Sequence, residues 1–436
     1  MKRYLIVCGF FAFVIACTQN MTKQYLTNID LDPSLTIPSS FDNSTTPCRV
    51  KEHYMPDTNN LDHTPIKYIR VNFHFMNGDN GTANFDERTG PPYIKEVMRV
   101  ANNKLERNKK MRLPLGNKTP VIPMRYQYVL TGRDNDPKDD GIYFHYDDEL
   151  YGMINHGKGK NIFDKKVYQK YGIMKDTVMN VFVMPYPEDS LKSKTFKKFD
   201  NGVAFGQWVK VCGWHYRATK DTIWQANGKY KVPYGKWYAM KLLNHEIGHN
   251  LGLRHTWRSN DGCDDTPHNP NCFGKGKRPP CDTQWGNNIM DYNTHASAWS
   301  PCQIATAHWN MSAGKKPKLR NLLVPTWCEF KREAMVNVRG DVVWNGAKDL
   351  ESHIVIRNGG TLTVRCKVSL PKGAKVIVHP KGKLVLEGGT LYNDCGEEWD
   401  GIEILSSKKH TGEVVYGPGA EILNVVNEVK VSVGND

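Results

Sequence analysis

Hydrophobic residues between positions 65 and 325 recur with two spacings, one typical of strands and one typical of helices. Alternation with polar residues predicts a half-buried strand whose apolar positions are Ile69, Val71, Phe73 and Phe75. Helical spacing predicts a long helix over roughly residues 92–110, with its apolar positions at Ile94, Val97, Met98, Ala101 and Leu105. Two further strands are predicted at residues 124–130 and 177–184. This order of elements predicts an α+β domain with a mixed sheet backed by helices.

A second helix is predicted just before residue 252, because apolar residues again recur at helical spacing: Ala239, Leu242, Leu243, Ile247 and Leu251. His245 and His249 are four residues apart, so both imidazoles leave the same face of this helix and can share one metal ion. Gly252 is expected to end the helix in the left-handed conformation, and that turn brings His255 back as a third nitrogen ligand. Three protein ligands with an open fourth position are typical of a catalytic zinc site. Glu246, beside the open position, is the predicted general base.

The segment from His245 to His255 reads His-Glu-Ile-Gly-His-Asn-Leu-Gly-Leu-Arg-His and resembles the signature of the metzincin metallopeptidases. Metzincins also carry a methionine in a tight turn beneath the metal, and Met290 in Asn-Asn-Ile-Met-Asp-Tyr matches it. That form of the turn, together with Asp265-Thr266-Pro267, is similar to the pappalysin family, in particular its bacterial cytophagalysin-like members. The resemblance covers residues 65–325. It implies a metzincin catalytic domain with a mixed sheet, a backing helix, a zinc helix and a loop-rich lower subdomain.

The resemblance implies a zinc-dependent endopeptidase that hydrolyses peptide bonds with a metal-activated water and Glu246 as the base. Met290 is then structural, and Tyr292 is a candidate stabiliser of the oxyanion, with a core tyrosine under the site as the alternative. Residues 201–209 correspond to the edge strand that pairs with extended substrate, and a surface hairpin is the alternative. A rival function is a surface adhesion or glycan-binding protein with an inactive metallopeptidase domain, which the presence of Glu246 disfavours.

An acidic group follows the third histidine. Asp261, Asp264 and Asp265 could hold a structural calcium ion, as in relatives, and a Gly/Asp-rich turn explains the same residues equally well. The net charge of the 436-residue chain is +14, but its lysines are dispersed and no aromatic residues are interleaved with them. This pattern favours a solvated surface over a nucleic-acid interface.

The N-terminus has the pattern of an export signal. Lys2 and Arg3 precede an apolar run from Tyr4 to Ala16 that is too short to span a membrane as a stop-transfer helix. The run ends in Val-Ile-Ala-Cys, which resembles a bacterial lipobox and implies a signal peptide at residues 1–16 with lipidation of Cys17. A plain secretory signal is the alternative. Either reading predicts an exported protein, at the outer membrane or cell surface as a lipoprotein or in the extracellular space.

Residues 17–64 are polar with little periodicity and are predicted to be a tether or propeptide. The thiolate of Cys48 could then occupy the open zinc position as a latency switch, although pairing with another cysteine is favoured in an oxidising compartment. Four cysteines, Cys263, Cys272, Cys281 and Cys302, crowd the loop after the third histidine and are expected to form two bridges. Four cysteines allow three pairings, and the sequence does not choose among them.

The sequence pattern changes after residue 328. Residues 65–328 are predicted to form the catalytic domain, and residues 329–436 are predicted to form an accessory domain. Short runs rich in valine and isoleucine are separated by glycine at close intervals, which predicts all-β structure. The sequence Gly-Gly-Thr-Leu starts at Gly359 and again at Gly388, an offset of 388 − 359 = 29 residues. This repetition favours a β-solenoid over a sandwich. Cys366 and Cys395 are candidates for a bridge between adjacent coils.

Overall fold

The structure is a computed structural model that describes residues 46–81, 83–157, 159–196, 201–220, 235–257, 260–266, 272–273, 276, 278–293, 295–312 and 316–433. The predicted signal peptide at residues 1–16, the lipidation site at Cys17 and the predicted tether up to residue 45 lie outside these residues. Within the described ranges, no helix has both the length and the apolar character needed to cross a membrane.

A mixed sheet forms the centre of the first domain. Its six strands are β1 Lys67–Asn77, β2 Tyr126–Leu130, β3 Ile142–Tyr146, β4 Met179–Met184, β5 Asn201–Ala204 and β6 Trp208–Cys212. The strand order is β2-β1-β4-β6-β5, with β3 beside the C-terminal half of β1. All pairings are parallel except that of β5 with β6, so β5 is an antiparallel edge strand. The predicted mixed sheet is therefore present.

The α-helices of the described residues are α1 Gly90–Glu106, α2 Lys166–Tyr171, α3 Glu188–Lys192, α4 Trp214–Lys220, α5 Gly235–Asn250 and α6 Pro301–Ser312. The long helix α1 ends four residues before the predicted position 110. It ends early because Asn108 is buried and donates hydrogen bonds from Nδ2 to the carbonyls of Ile122 and Trp299, which turns the chain towards those segments.

The two faces of the sheet bury different sets of side chains. Phe73 and Phe75 of β1 face the core that contains the apolar positions of α1 and α5, whereas Met76 belongs to a smaller core on the other face. This division follows from the alternation of side chains along a strand. Helices α1 and α5 pack against each other on the first face, which fixes α5 relative to the sheet.

The C-terminal region is rich in β-strands. Its strands in chain order are β7 Met335–Val338, β8 Asp341–Trp344, β9 Lys348–Asp349, β10 His353–Ile356, β11 Thr361–Val364, β12 Lys367–Ser369, β13 Lys375–Val378, β14 Lys383–Leu386, β15 Thr390–Tyr392, β16 Gly401–Ser406, β17 Glu413–Tyr416, β18 Glu421–Ile422 and β19 Val429–Val433. They form three sheets, ordered β7-β10-β13-β16-β19, β8-β11-β14-β17 and β9-β12-β15-β18. The chain visits the three sheets in turn and pairs in parallel throughout the described strands.

The Gly-Gly-Thr-Leu repeat marks a local geometry and not the period of the β-rich region. Thr361 begins β11 and Thr390 begins β15, and these two strands lie in different sheets. In both copies the second glycine lies against a carbonyl oxygen of an earlier strand. A Cβ at Gly360 would lie 2.6 Å from the oxygen of Val338, and one at Gly389 would lie 2.4 Å from that of Val364. The repeat therefore identifies corners where only glycine fits.

Two disulfide bonds join the β-rich region to earlier segments, and two others lie in the loop after the third histidine. The four bridges of the described residues are Cys48–Cys366, Cys263–Cys302, Cys272–Cys281 and Cys328–Cys395. The expected bridge between Cys366 and Cys395 is wrong, because each of these cysteines pairs with a segment outside the β-rich region. The loop after the third histidine contains two bridges, as expected.

Residues 46–64, the part of the predicted tether that the structure describes, form short 3-10 helices at Thr46–Arg49, Lys51–Tyr54 and Leu61–His63. The second of these packs against α6, and the His63 ring lies 3.0 Å from the carbonyl of Asn337 in the β-rich region. Cys48 is buried in its disulfide and is not a zinc-binding thiolate, so the favoured alternative of a paired Cys48 is the one found.

Candidate metal centre

Helix α5 and the turn that follows it position three histidines at one point. Gly252 has a φ of +99°, the left-handed conformation that ends the helix and reverses the chain. Two side chains bind the last carbonyls of the helix: Asn310 Nδ2 donates to Leu251 at 2.9 Å and Lys316 Nζ donates to Asn250 at 3.0 Å. A cation at a helix C-terminus also stabilises the helix dipole. The predicted role of Gly252 thus matches the turn that the structure has.

The three predicted ligands, which we call the histidine triad, converge. The Nε2 atom of His255 lies 3.1 Å from that of His245 and 3.1 Å from that of His249, and the remaining pair is 3.2 Å apart. Tetrahedral zinc with Zn–N bonds of about 2.0–2.1 Å separates its nitrogen ligands by roughly 3.3 Å. The triad therefore has the spacing that one zinc ion requires.

Hydrogen bonds on the other ring nitrogens hold two of the imidazoles. His245 Nδ1 lies 2.7 Å from the carbonyl of Ile289, and His249 Nδ1 lies 2.9 Å from the carbonyl of Leu253. Because a carbonyl only accepts, each Nδ1 carries the proton and each Nε2 presents a lone pair to the centre. Burial, with the nearby His249, lowers the pKa of His245 to about 3, so this ring is neutral at physiological pH. Neutral imidazole is the form that binds a metal.

Glu246 lies beside the triad and is buried. Burial raises the pKa of its carboxyl to about 8. The edge strand β5 packs on this side chain: a Cβ at Gly202 would lie 2.5 Å from both Cγ and Oε1 of Glu246. Only glycine at this point of β5 leaves room for the carboxylate. The contact was not predicted, although Gly202 falls in the segment 201–209 that the sequence singled out.

Residues 201–209 form the hairpin of β5 and the start of β6 at the edge of the sheet. Its turn is held to the end of α5, because Asn250 Oδ1 accepts a hydrogen bond of 2.7 Å from the backbone N–H of Gly206. The edge strand and the helix that carries Glu246 are thereby joined at two points, Gly202 and Asn250.

Met290 is fully buried and lies against the helix that carries two of the three histidines. A Cβ at Gly248 would lie 2.7 Å from the Met290 sulfur, so the thioether packs against α5 between the two helical histidines. The turn that carries it is held by Asn288, whose Oδ1 accepts from the backbone N–H of Met290 at 2.9 Å. This arrangement is consistent with a packing role for Met290, and the absence of a side chain at Gly248 makes room for its sulfur.

Tyr292 lies at the rim of the site and its side chain is 49% exposed. Its ring centroid is 4.9 Å from that of His255 and 5.9 Å from that of His245. Trp257, which the sequence reasoning did not single out, stacks on His255 with a centroid distance of 4.9 Å. No periodicity or motif pointed to Trp257, since only the fold brings its ring against the third ligand.

The acidic group after the triad binds its own loop. Asp265 Oδ2 accepts from the backbone N–H of Cys302 at 2.8 Å, and Asp261 Oδ1 accepts from that of Cys263 at 2.9 Å. Apart from the histidine triad, the described residues contain one cluster with metal-ligand spacing, Cys263, Asp265 and Cys302, and its cysteines form a disulfide. The carboxylates of Asp261, Asp264 and Asp265 do not converge as a group of three among the described residues.

Converging imidazole lone pairs beside a buried carboxylate define a metal-dependent hydrolase type of site. Comparison with known proteins agrees with this class. Residues 191–301, which contain α5, the triad and Met290, match the family model described as metallo-peptidase family M12. This match supports a metallopeptidase.

No curated protein matches the chain. Among solved structures, the chain is similar to mirolysin in complex with compound 9, with 17% identity, a TM-score of 0.38, and coverage of 58% of this chain and 96% of that one. It is also similar to Tannerella forsythia mature mirolysin in complex with a cleaved peptide, with 17% identity, a TM-score of 0.39, and coverage of 59% and 95%.

Proposed function

We propose that this protein is a zinc-dependent endopeptidase of the metzincin clan, in its pappalysin branch. The observation that carries the proposal is the convergence of three Nε2 atoms, 3.1–3.2 Å apart, beside the buried carboxylate of Glu246. The family match over residues 191–301 supports the peptidase class, and the Met290 turn with Asp265-Thr266 motivates the branch.

The residues of the chain divide the reaction among them. Zinc bound by the triad would lower the pKa of a water and polarise the scissile carbonyl. Glu246 accepts the proton of the attacking water and returns it to the leaving amine. Burial raises the pKa of this carboxyl, and the positive charge of a bound zinc would lower it again, which favours the ionised form that takes the proton. Tyr292, half-exposed at the rim, is the side chain that we assign to donate a hydrogen bond to the oxyanion.

Extended peptide substrate would pair with β5. This strand is an antiparallel edge whose Gly202 lies directly against Glu246, so a peptide added there would lie over the base. Main-chain pairing gives affinity without selecting side chains.

We also propose that the protein is exported and anchored through a lipid on Cys17, and that its β-rich domain is a β-solenoid. Export is supported by the four disulfides of the described residues, since such bonds persist in oxidising compartments. Radiolabelled palmitate incorporation that survives Cys17→Ser would contradict the anchor.

The solenoid is supported by the path of the chain, whose strands visit three sheets of parallel strands in turn.

The decisive experiment uses residues 18–436, as wild type and as Glu246→Ala, on a diverse peptide library with zinc content measured in both. We expect the wild type to cut peptides internally and the variant to hold zinc without cutting. If both proteins hold zinc and neither cuts, even after limited proteolysis of residues 18–64, the surface adhesion function replaces this proposal.

A further inference from the structure

A small cavity lies where three parts of the chain meet: the N-terminal segment 54–67, helix α6 with the residues that follow it, and the start of the β-rich region. Its volume is about 30 Å³. A buried water needs roughly 10–15 Å³, so the cavity has room for two waters or for one small ion. We call it the interface cavity, and its polar lining includes Thr64, Lys67, Ser312, Trp327, Lys348 and Asp349.

The charges around the interface cavity do not cancel. The ammonium of Lys67 and the guanidinium of Arg320 both contact the carboxylate of Asp349. Arg320 also contacts the carboxylate of Asp394. Lys348 forms no ion pair and no hydrogen bond with the described residues. Two carboxylates therefore face three cations, and the positive charge of Lys348 is the one that remains.

The other carboxylate that acts on Lys348 belongs to Asp57, and its oxygens are already bound. Oδ1 accepts from the backbone N–H of Asn59 at 2.9 Å, and Oδ2 accepts from Nδ2 of Asn60 at 2.7 Å. Burial lowers the pKa of Lys348 to about 8, and the charge of Lys67 acts in the same direction, whereas the carboxylates oppose the shift. At pH 7 most Lys348 side chains are protonated and lack a counter-ion.

A buried histidine in the lining is exposed to the same positive charge. Burial lowers the pKa of His308 to about 3, and Lys67 and Lys348 act in the same direction. His308 is therefore neutral at physiological pH, with its Nε2 donating to the carbonyl of Met124 at 2.6 Å. The ring adds no charge of its own, and the surroundings of the interface cavity favour an anion.

Two further groups of the lining are donors that lack an acceptor. The hydroxyl of Thr64 and the indole N–H of Trp327 are buried and have no hydrogen-bond partner among the described residues. The two residues are 7% and 2% exposed. An indole N–H and an ammonium group only donate, so both require an acceptor from outside the side chains around them. A buried donor without an acceptor costs free energy, which an acceptor in the cavity would recover.

Water and an anion satisfy this lining to different extents. Water supplies an acceptor but leaves the charge of Lys348 uncompensated, whereas an anion supplies both an acceptor and the missing negative charge. The carboxylate of Asp349 repels such an anion little, because its oxygens already accept from Arg320 and its charge is shared with Lys67. Room for about two waters excludes sulfate, phosphate and organic acids. A monatomic anion fits.

We propose that the interface cavity binds one halide ion, which is chloride under physiological conditions, through Lys348, Thr64 and Trp327. These three residues belong to the β-rich region, the N-terminal segment and the stretch that joins the two domains. The ion would therefore hold three separate parts of the chain together. The site is distinct from the histidine triad, and the inference does not depend on the proposed peptidase function.

The first test locates the ion. Crystals of residues 18–436 are grown with bromide in place of chloride, and anomalous scattering is measured at the bromine absorption edge. We expect an anomalous peak in the interface cavity, within hydrogen-bonding reach of Lys348 Nζ. Density there without anomalous signal would mean that the cavity holds water, and the proposal would be wrong.

The second test measures stability in solution. Residues 18–436 are unfolded with urea at constant ionic strength while sodium gluconate is replaced by sodium chloride. One ion bound only to the folded state should lower the unfolding equilibrium constant by about tenfold for each tenfold rise in chloride above the dissociation constant. A flat response in the wild type contradicts the proposal without any variant.

Three variants separate this site from general effects of salt. Lys348→Met keeps the length of the side chain and removes its charge, so the chloride dependence and the bromide peak should both disappear. Thr64→Val should weaken the dependence while it keeps the shape of the residue. Lys383→Met is the matched control, because Lys383 is a half-buried lysine of β14 that pairs with Glu413 and does not line the cavity. It should keep the full dependence, and a dependence that persists in Lys348→Met would place the halide elsewhere and overturn the assignment.

Discussion

Two clusters of polar side chains in this protein differ in whether their members find partners within the cluster. In the histidine triad, three Nε2 atoms with lone pairs face one another, and the outer nitrogens of two rings donate to backbone carbonyls. In the second cluster, the guanidinium of Arg320 lies between the carboxylates of Asp349 and Asp394, and the ammonium of Lys67 also contacts Asp349. We call these four residues the Arg320 cluster.

The Arg320 cluster satisfies its charges internally. Arg320 Nη2 is 2.9 Å from Asp349 Oδ1 and 2.5 Å from Asp394 Oδ2. Burial opposes ionisation of Asp349, but the nearby Arg320 and Lys67 lower the pKa of its carboxyl far below the usual range. The cluster joins the first domain to the β-rich region, as the bridge Cys328–Cys395 does.

The contrast shows how to distinguish a binding site from a structural ion cluster. Acceptors that converge without a donor cost free energy unless a cation binds among them, whereas a buried charge with all its partners needs nothing further. The triad therefore requires a ligand from outside, and the Arg320 cluster does not.

Removing one imidazole should have the largest effect. We expect His249→Ala to lose bound zinc and to lower kcat/KM by at least about 10³-fold, because catalysis needs both the metal and its geometry. Metal content and peptide cleavage measure this directly. His410→Ala, which removes an exposed histidine of the β-rich region, is the control and should change neither. Full activity of His249→Ala would remove the triad from the mechanism.

Breaking the Arg320 cluster should affect stability and leave the metal site intact. We expect Arg320→Ala to lower the free energy of unfolding by about 3–5 kcal/mol, because it leaves the buried carboxylate of Asp394 without the cation that pairs with it. Denaturant unfolding with the disulfides intact measures the loss. The double variant Arg320→Met/Asp394→Asn should recover part of it, since the two charges that remain, Lys67 and Asp349, still pair with each other. Loss of zinc at native conditions in Arg320→Ala would contradict the separation of the two clusters.

The sequence predicted the triad because its geometry is local. His245 and His249 are separated by one helical turn, and His255 follows a glycine turn, so spacing alone brings the three rings together. Helix α1 and strands β1 and β2 were predicted from apolar positions of regular period, and β4 was predicted from a mostly apolar run, all of which is buried.

Contacts between distant segments were not predictable. Lys67, Arg320, Asp349 and Asp394 come from four parts of the chain, and no pattern in any one of them reveals the others. The pairing of Cys366 with Cys48 was missed because both lie in segments whose positions depend on the whole fold. Strand β3 was missed because it mixes aromatic and polar residues: His145 lies 2.9 Å from buried His74 on β1.

The contact between Gly202 and Glu246 separates the position of the base from the binding of the metal, because Gly202 touches Glu246 and is not one of the three histidines. A Cβ at position 202 would lie 2.5 Å from the Glu246 side chain and must displace it. We expect Gly202→Ala to lower kcat by about 10- to 100-fold while zinc content stays unchanged. Gly340→Ala is the matched control, since a Cβ there meets no atom within 4 Å. Unchanged kcat in Gly202→Ala would mean that Glu246 can move without cost.

The smallest effect concerns a charge contact that fixes α5 without touching the triad. Glu96 on α1 accepts hydrogen bonds of 2.7 Å from Arg99 and 2.5 Å from Lys236, the second residue of α5. Arg99 and, against the effect of burial, Lys236 lower the pKa of Glu96 to about 2 from its usual 4.5. A carboxyl whose pKa is lowered by folding stabilises the folded state at any pH above its pKa in the unfolded chain. This contribution is lost as the pH falls from about 4.5 towards 2.

We therefore expect the wild type to lose about 1–2 kcal/mol more stability than Glu96→Gln between pH 5 and about 3, allowing for solvent screening. Release of zinc in acid affects both proteins equally and cancels in the difference. The measurement is denaturant unfolding of each protein across this pH range. Parallel curves would mean that Lys236 holds α5 without help from the charge of Glu96. Diverging curves with equal zinc content at neutral pH would show that the ionised carboxylate of Glu96 stabilises the fold around α5. They would also show that metal binding by the histidine triad does not depend on that charge.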